Sequence, residues 1–215
     1  MDRPLRVAAL ASGRGSNLAA LIAARDAGRL PVEFTLVGSD KKLAGALAVA
    51  AAAGIPTVAL NPKDYATRAE FDNALFGRVA DSGADLLVLA GYMRIVDAAV
   101  VAQWEGRAIN VHPSLLPKYR GLHTHRRCLE AGDNEHGASV HFVTAELDGG
   151  PVIAQARISV HPGDTEDDLA ARLLVEEHKL LPAVVGAIAA GRLRWQGGPW
   201  FDGAPLKRPL SLTEL

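Results

Sequence analysis

The chain has 215 residues, with 23 Lys and Arg against 24 Asp and Glu, 49% hydrophobic residues and 22% charged ones. This composition suits a globular α/β fold with a full core and excludes a disordered chain, while the balanced charge argues against a nucleic-acid binder or a membrane-surface protein. The single cysteine, Cys128, rules out an internal disulfide, and the N-terminus lacks the apolar core of a signal peptide, so a reducing, cytoplasmic setting is expected.

Residues 6–11 form an apolar run of strand length, followed by a glycine turn and an Ala/Leu-rich helical stretch over 18–27 that Gly28 stops. A second strand is read at 32–37, a helix at 43–53 closed by Gly54, and a third short strand at 56–60. From Thr67, the residues Phe71, Leu75 and Val79 recur at i+4, which predicts an amphipathic helix to Ser82. The run at 85–90 is an uninterrupted apolar strand of the kind buried on both faces. Such alternation predicts a doubly wound, mostly parallel sheet with helices on both faces. The second half is less regular: strands at 108–112, 138–143 and 152–160, a helix at 122–131, and a long helix over 165–190 that Pro182 should kink or divide. Its later strands are expected to extend the same sheet with some antiparallel pairing. A single domain over 1–215 is expected, with a phosphate-binding half at 1–105, a catalytic and folate half at 106–203, and a short, irregular C-terminal segment after Gly191.

Ser12-Gly13-Arg14-Gly15-Ser16-Asn17 joins the first strand to the first helix, which is a phosphate-binding place in doubly wound folds. Leu18 stands where a dinucleotide fingerprint has its third glycine, and the Gly-Lys-Ser/Thr ending of a P-loop is absent. A sugar phosphate or mononucleotide is therefore favoured. A plain tight turn and a dinucleotide site, for which Asp40 would supply the ribose acid, stay open.

Asn110 and His112 end the strand at 108–112 and, by alternation, point to one face. The carboxyl ends of strands form the ligand crevice in such sheets. Asp148 lies in a Gly-rich turn and reaches His112 only if the flanking strands bring it back. A carboxylate beside an imidazole fixes its tautomer and favours its charged form, and an amide donor can bind an oxyanion. The three together suit acyl transfer without a covalent enzyme intermediate; satisfied strand-end hydrogen bonds are the alternative. Ser114 lies outside any Gly-x-Ser-x-Gly elbow. Glu177 follows Leu169 and Leu173 on an apolar track, where a carboxylate is either functional or at an exposed edge. His123 and His125 stand close in sequence, but i,i+2 spacing on a helix faces them apart and no carboxylate or thiolate cluster accompanies them, so no metal is expected. Cys128 reads as structural.

Five motifs occur in order: Ser12-Gly13-Arg14-Gly15-Ser16-Asn17-Leu18, Ala90-Gly91-Tyr92-Met93-Arg94-Ile95, Asn110-Val111-His112-Pro113-Ser114-Leu115-Leu116-Pro117, His136-Gly137-Ala138-Ser139-Val140-His141 and Leu147-Asp148-Gly149-Gly150-Pro151. From Arg6 to about Gly203 the chain resembles the folate-dependent phosphoribosylglycinamide formyltransferases. The resemblance implies a Rossmann-like formyltransferase fold and transfer of a formyl group from 10-formyltetrahydrofolate, a consumed cosubstrate, to the amine of glycinamide ribonucleotide in purine biosynthesis. It implies a catalytic trio of Asn110, His112 and Asp148. Gly15, Ser16 and Asn17 would cradle the substrate phosphate, and Glu177 would meet the ribose or amine. Folate would lie along Met93, Arg94, Ile95 and Val96, beside Asn110, under a loop of Thr144, Ala145, Glu146, Leu147 and Asp148, with Arg68 as an outer contact. Arg14 and Arg120 stand where similar proteins can carry other residues.

Partners are then two small molecules, with no nucleic acid, no membrane and no metal; a homodimer is left open. Relatives with other substrates carry more than this chain is expected to need. A methionyl-tRNA formyltransferase adds a C-terminal RNA-binding domain and a basic surface, and a formyltetrahydrofolate hydrolase adds an N-terminal regulatory domain. Outside enzymes, a phospho-ligand-binding module is the alternative.

Overall fold

The computed structural model describes residues 3–215; residues 1 and 2, part of the N-terminal stretch considered above for a signal peptide and of the expected domain span, lie outside the described residues. Strands β1 (Leu5–Leu10), β2 (Val32–Ser39) and β3 (Thr57–Ala59) alternate with helices α1 (Ser16–Asp26) and α2 (Gly45–Ala52). Helix α3 (Arg68–Asp81), strand β4 (Leu86–Leu89), the short α4 (Ala98–Ala102) and β5 (Ala108–His112) follow. Then come α5 (Thr124–Glu130), β6 (Glu135–Phe142), β7 (Val152–Ser159) and the long α6 (Glu166–Ala189). A separate three-stranded sheet, β8 (Leu193–Trp195), β9 (Pro199–Phe201) and β10 (Ala204–Pro205), ends the chain.

The main sheet has the order β3-β2-β1-β4-β5-β6-β7. Pairing is parallel from β3 through β5 and antiparallel for β5–β6 and β6–β7. Strand alternation divides the core into two layers. Val7 and Ala9 of β1 pack with α1 and α6, through Leu18, Leu21, Leu173 and Leu180. Ala8 and Leu10 pack on the other side with α3, through Phe71, Leu75 and Val79. The doubly wound arrangement thus follows from strands that are apolar on both faces.

Local signals account for the helix ends. Thr67 accepts the Glu70 N–H at the start of α3. At α6, Thr165 and Asp168 form a reciprocal capping box, with three acidic residues in the first turn where the helix dipole favours them. Of the kink or division expected at Pro182, division does not occur: α6 is one continuous helix through it. Leu180, Leu181, Val184 and Val185 on either side are fully buried, and their packing outweighs the one backbone hydrogen bond that proline cannot make.

The segment after Gly191, expected to be irregular, instead forms the sheet β8–β10, paired through its own backbone hydrogen bonds, and the tail beyond it lies along the outer edge of β7. The Gln155 N–H donates to the Leu210 carbonyl and the Leu210 N–H to the Ile153 carbonyl, so the tail covers an otherwise open strand.

Helix α6 is fixed to the sheet by Leu173, which is completely buried one turn before Glu177. Leu173→Ala should cost about 2–5 kcal/mol in urea-induced unfolding, as deletion of a core leucine does. A loss below about 1 kcal/mol would show that α6 is not anchored there.

Candidate active site

The site is built from the carboxyl end of β5. Its even-numbered residues face the α3 side, where Ala108 packs, and Asn110 and His112 share that face. His112 is 6% exposed. Its Nε2 lies 3.0 Å from the Tyr119 carbonyl oxygen, which can only accept, so Nε2 carries the proton. That assignment leaves Nδ1 as the nitrogen facing Asp148 Oδ2, 3.5 Å away.

Asp148 reaches this position because the loop between β6 and β7 folds back on the sheet. The Phe142 N–H donates to the Pro151 carbonyl, and a Cβ at Gly150 would lie 1.8 Å from the Phe142 carbonyl oxygen, so only glycine permits the approach. Asp148 itself has a left-handed backbone, φ 47°, and its Oδ2 accepts the Gly121 N–H at 2.9 Å.

A fourth residue joins the three that the sequence singled out. His141 on β6 sits opposite Asn110 in the antiparallel register. Its Nδ1 lies 2.9 Å from the Phe142 carbonyl and so carries the proton, leaving Nε2 to accept from the Asn110 amide nitrogen at 3.1 Å. One Asn110 N–H is thereby fixed, and the rest of the amide is available to a ligand. His141 Nε2 also stands 3.6 Å from Asp148 Oδ1, longer than a hydrogen bond. His141 ends the fourth of the five sequence motifs, which by itself gives it no role. The antiparallel partner of Asn110 was the signal that could have found it.

Burial sets the charge states. It pushes the His112 imidazole below its ordinary value, against the opposing pull of the Tyr119 carbonyl and of Asp148. The carboxylate thus favours the charged ring, as expected, but desolvation is the larger effect and the resting ring is neutral. Asp148 moves the other way for its class. Burial would raise its carboxyl, but His141, the Gly121 N–H and His112 together hold it below the usual carboxylate range. An ionised carboxylate therefore stands beside a neutral imidazole, an arrangement ready to receive a proton.

A cleft of about 470 Å³ opens on these groups, walled by Gly91–Ile95, Asn110–Pro113, Gly121–His125, Leu147, Asp148 and Glu166. A smaller recess of about 80 Å³ continues behind Asn110, between Leu89, Tyr92, Val96, His141 and residues 144–148. Met93, Ile95, Leu122 and Leu147 are large apolar side chains left exposed around the cleft. The segment at 93–97 is held from below, where fully buried Asp72 of α3 accepts the Asp97 N–H at 2.8 Å and the Arg94 guanidinium lies over the Phe71 ring at 4.9 Å. Arg120 pairs with Glu146, which links the loop after β5 to the loop before β7.

The glycine turn and Glu177 line neither cavity, but they touch each other: the Asn17 amide donates to Glu177 Oε2 at 2.7 Å. Ser12 connects this turn to the cleft, since its Oγ accepts the Met93 N–H at 2.9 Å. Helix α1 starts at Ser16 with no side chain capping its first N–H groups, which leaves them available to an anion. The glycine at 15 has a second reason to exist. It has φ 82°, and a Cβ there would lie 2.6 Å from the Ala46 Cα, so α2 packs directly on it. Burial raises the Glu177 carboxyl, with the Asn17 hydrogen bond acting in the opposite direction. The track reading of Glu177 as inward-facing therefore holds. Arg68 is exposed at the first residue of α3 and lines neither cavity.

Other sequence-level candidates resolve into structure. Ser114 is fully buried and donates to the Lys118 carbonyl at 2.6 Å, and Cys128 is buried with its thiol directed at the Glu135 carbonyl. His125 Nδ1 lies 3.0 Å from His136 Nε2. Burial and its neighbour push His136 down to about 4. Among the described residues no group of three or more His, Cys, Asp or Glu is placed to hold a metal ion, and no helix is long and apolar enough to cross a membrane.

The formyl transferase family model matches residues 5–185. Phosphoribosylglycinamide formyltransferase of Escherichia coli is 46% identical over 203 residues, covering 94% of this chain and 96% of that protein. The solved phosphoribosylglycinamide formyltransferase of Coxiella burnetii superposes with a TM-score of 0.93 at 43% identity, covering 97% of this chain and 99% of that one. Glycinamide ribonucleotide transformylase 1 of Symbiobacterium toebii gives 0.88 at 41% identity, over 92% and 93% of the two chains. With its fold, its β5-centred site and these relatives in agreement, the chain belongs to the formyl transferase family.

Proposed function

We propose that this chain transfers the formyl group of 10-formyltetrahydrofolate to the amine of glycinamide ribonucleotide, a step of purine biosynthesis in the cytoplasm. The observation that carries the reading is the meeting of Asn110, ionised Asp148 and neutral His112 at one cleft wall. It is supported by the near full-length similarity to proteins bearing that activity in their names.

The substrate amine attacks the formyl carbon and a tetrahedral intermediate forms. The free Asn110 N–H binds the developing oxyanion. His112 Nδ1 takes the proton that the attacking nitrogen must lose, and the resulting imidazolium is stabilised by Asp148 beside it. The same proton then passes to the folate nitrogen as its bond to the formyl carbon breaks, and the neutral ring is restored. Burial that keeps His112 neutral at rest makes it a base first and an acid second.

In this reading, Gly15, Ser16 and Asn17 receive the ribonucleotide phosphate at the start of α1, and Glu177 meets the ribose or amine. The apolar rim at Met93 and Ile95, with Arg94, Val96 and the loop of Thr144, Ala145, Glu146, Leu147 and Asp148, receives the folate. Arg68 acts only as an outer charge. The chain acts as one unit, with folate straddling the boundary between the 1–105 and 106–203 halves. Folate is the only cofactor-like group required and no metal takes part.

Mixing the protein with glycinamide ribonucleotide and the formyl-folate, and following the deformylated folate by absorbance, tests the activity directly. In that assay His112→Ala and Asp148→Asn should each lower kcat about 10²–10⁴-fold with the fold intact. The double variant should be little worse than either single one, because the two act as a unit. Losses that multiply would mean separate roles.

Glu177→Gln separates stability from binding. The folded carboxyl is raised above its ordinary 4.5, so the cost of burying its charge is absent below that pH and complete once pH exceeds the folded value. The variant should therefore be more stable than the parent at pH 8, with the difference vanishing below pH 4.5. Its KM for the ribonucleotide should rise about 10-fold or more, as when a charge-assisted hydrogen bond is lost. Lower stability at pH 8 would contradict the buried, unpaired charge.

A further inference from the structure

The loop between β5 and α5 holds a contact that the chemistry above leaves unexplained. Tyr119 presents its backbone carbonyl to His112 Nε2 at 3.0 Å, and does so from a left-handed conformation, φ 55°. For a bulky residue that conformation is unfavourable and persists only when the surroundings hold it. Here the restraint comes from Asp133, in the turn between α5 and β6, whose Oδ2 accepts the Tyr119 hydroxyl at 2.8 Å. Lys118 Nζ reaches the same oxygen at 2.7 Å, and the Arg127 guanidinium lies over the Tyr119 ring at 5.3 Å. The loop is pinned again on its inner side, where Ser114 donates to the Lys118 carbonyl and Ser139 to the Ser114 carbonyl.

We propose that Asp133 and Tyr119 are positioning residues for His112: the Asp133–Tyr119 hydroxyl bond holds the Tyr119 carbonyl against Nε2, and that carbonyl keeps the proton on Nε2 and the working lone pair on Nδ1. The inference rests on the reading of His112 as the proton carrier. The argument is one of inventory. A neutral imidazole has one N–H, and it settles beside the better-placed acceptor. Two acceptors flank this ring, the Tyr119 carbonyl at 3.0 Å and Asp148 at 3.5 Å. Without the first, the proton moves to Nδ1, toward Asp148, and Nδ1 can no longer accept from the substrate amine. The remaining charged or titratable groups near His112 are His141, Arg127 and the His125–His136 pair, and their hydrogen bonds go to other partners: His141 to Asn110 and the Phe142 carbonyl, Arg127 to the Arg120 carbonyl, and His125 to His136. Tyr119 and Asp133 thus act on the reaction through the ring of another residue.

Nitrogen-15 NMR of the histidine rings, on the full chain without substrates, reads the tautomer directly. The parent His112 should be the Nε2–H form when neutral. Tyr119→Phe and Asp133→Leu should raise the Nδ1–H fraction and shift the His112 titration to lower pH, because the carbonyl contact favours the charged ring. In the formyl-transfer assay they should lower kcat about 5- to 10-fold, the scale of one hydrogen bond, with both KM values within about twofold. Asp133→Asn keeps an oxygen acceptor for the hydroxyl and should restore the parent tautomer and kcat. Lower melting temperatures with an unchanged His112 tautomer would overturn the proposal and leave the pair a merely structural role, as would an Asp133→Asn variant that behaves like Asp133→Leu. Absence of formyl transfer in the parent would refute the assigned reaction instead, and the tautomer measurement, made without substrates, would still decide the role of the pair.

Discussion

The site depends on the antiparallel register between β5 and β6. On its other edge β5 pairs in parallel with β4, so β5 is the strand at which the sheet changes direction. Asn110 is set opposite His141, and the two side chains meet across the strands as cross-strand pairs do. Antiparallel pairing also keeps the chain local: β6 ends beside the amino end of β5, where the Val143 N–H donates to the Ala108 carbonyl, and the loop into β7 folds back from there over the sheet toward Asn110 and His112. Asp148 is carried to His112 by that geometry. A slip of one residue would place Asn110 and His112 in the apolar layer and their neighbours Ile109 and Val111 in the cleft.

Within this frame the environment separates the two titrating partners. His112 and Asp148 are both buried, yet the imidazole is pushed toward its neutral form and the carboxyl is kept ionised. The difference lies in the donors. Asp148 receives the Gly121 N–H, whereas for His112 the loss of solvent outweighs the Tyr119 carbonyl and Asp148, the two acceptors that favour its charge. A single pair can then hold a proton between two bond-changing events without either group reaching solvent.

Much of the fold was legible because its signals are local. The i+4 recurrence of Phe71, Leu75 and Val79 is the buried face of α3, and the apolar run before Ala90 is β4, buried on both sides. Helix boundaries departed by one or two residues, as expected for ends set by caps. Pro182 does not divide α6, because proline removes one hydrogen bond while the helix is held by several buried leucines and valines on its flanks. In the site, alternation alone aimed Asn110 and His112 together, and the apolar track turned Glu177 inward. His141 and Tyr119 were missed because their roles lie in what faces them across space. The same applies to Gly15, whose missing side chain serves the approach of Ala46 as well as any phosphate.

By itself the sequence determined the strands of the main sheet and the longer helices, which faces they bury and which polar residues end β5, since these depend on periodicity and caps within a few residues; the short α4 and the small sheet β8–β10 it did not show. The resemblance of its ordered motifs also identified the family. Only the tertiary structure decided that Asp148 returns to within 3.5 Å of His112, that His141 fixes the Asn110 amide, and that the resting imidazole is neutral. Strand register, loop closure and burial arise from contacts between segments far apart in the chain, and no local pattern encodes the distance between them.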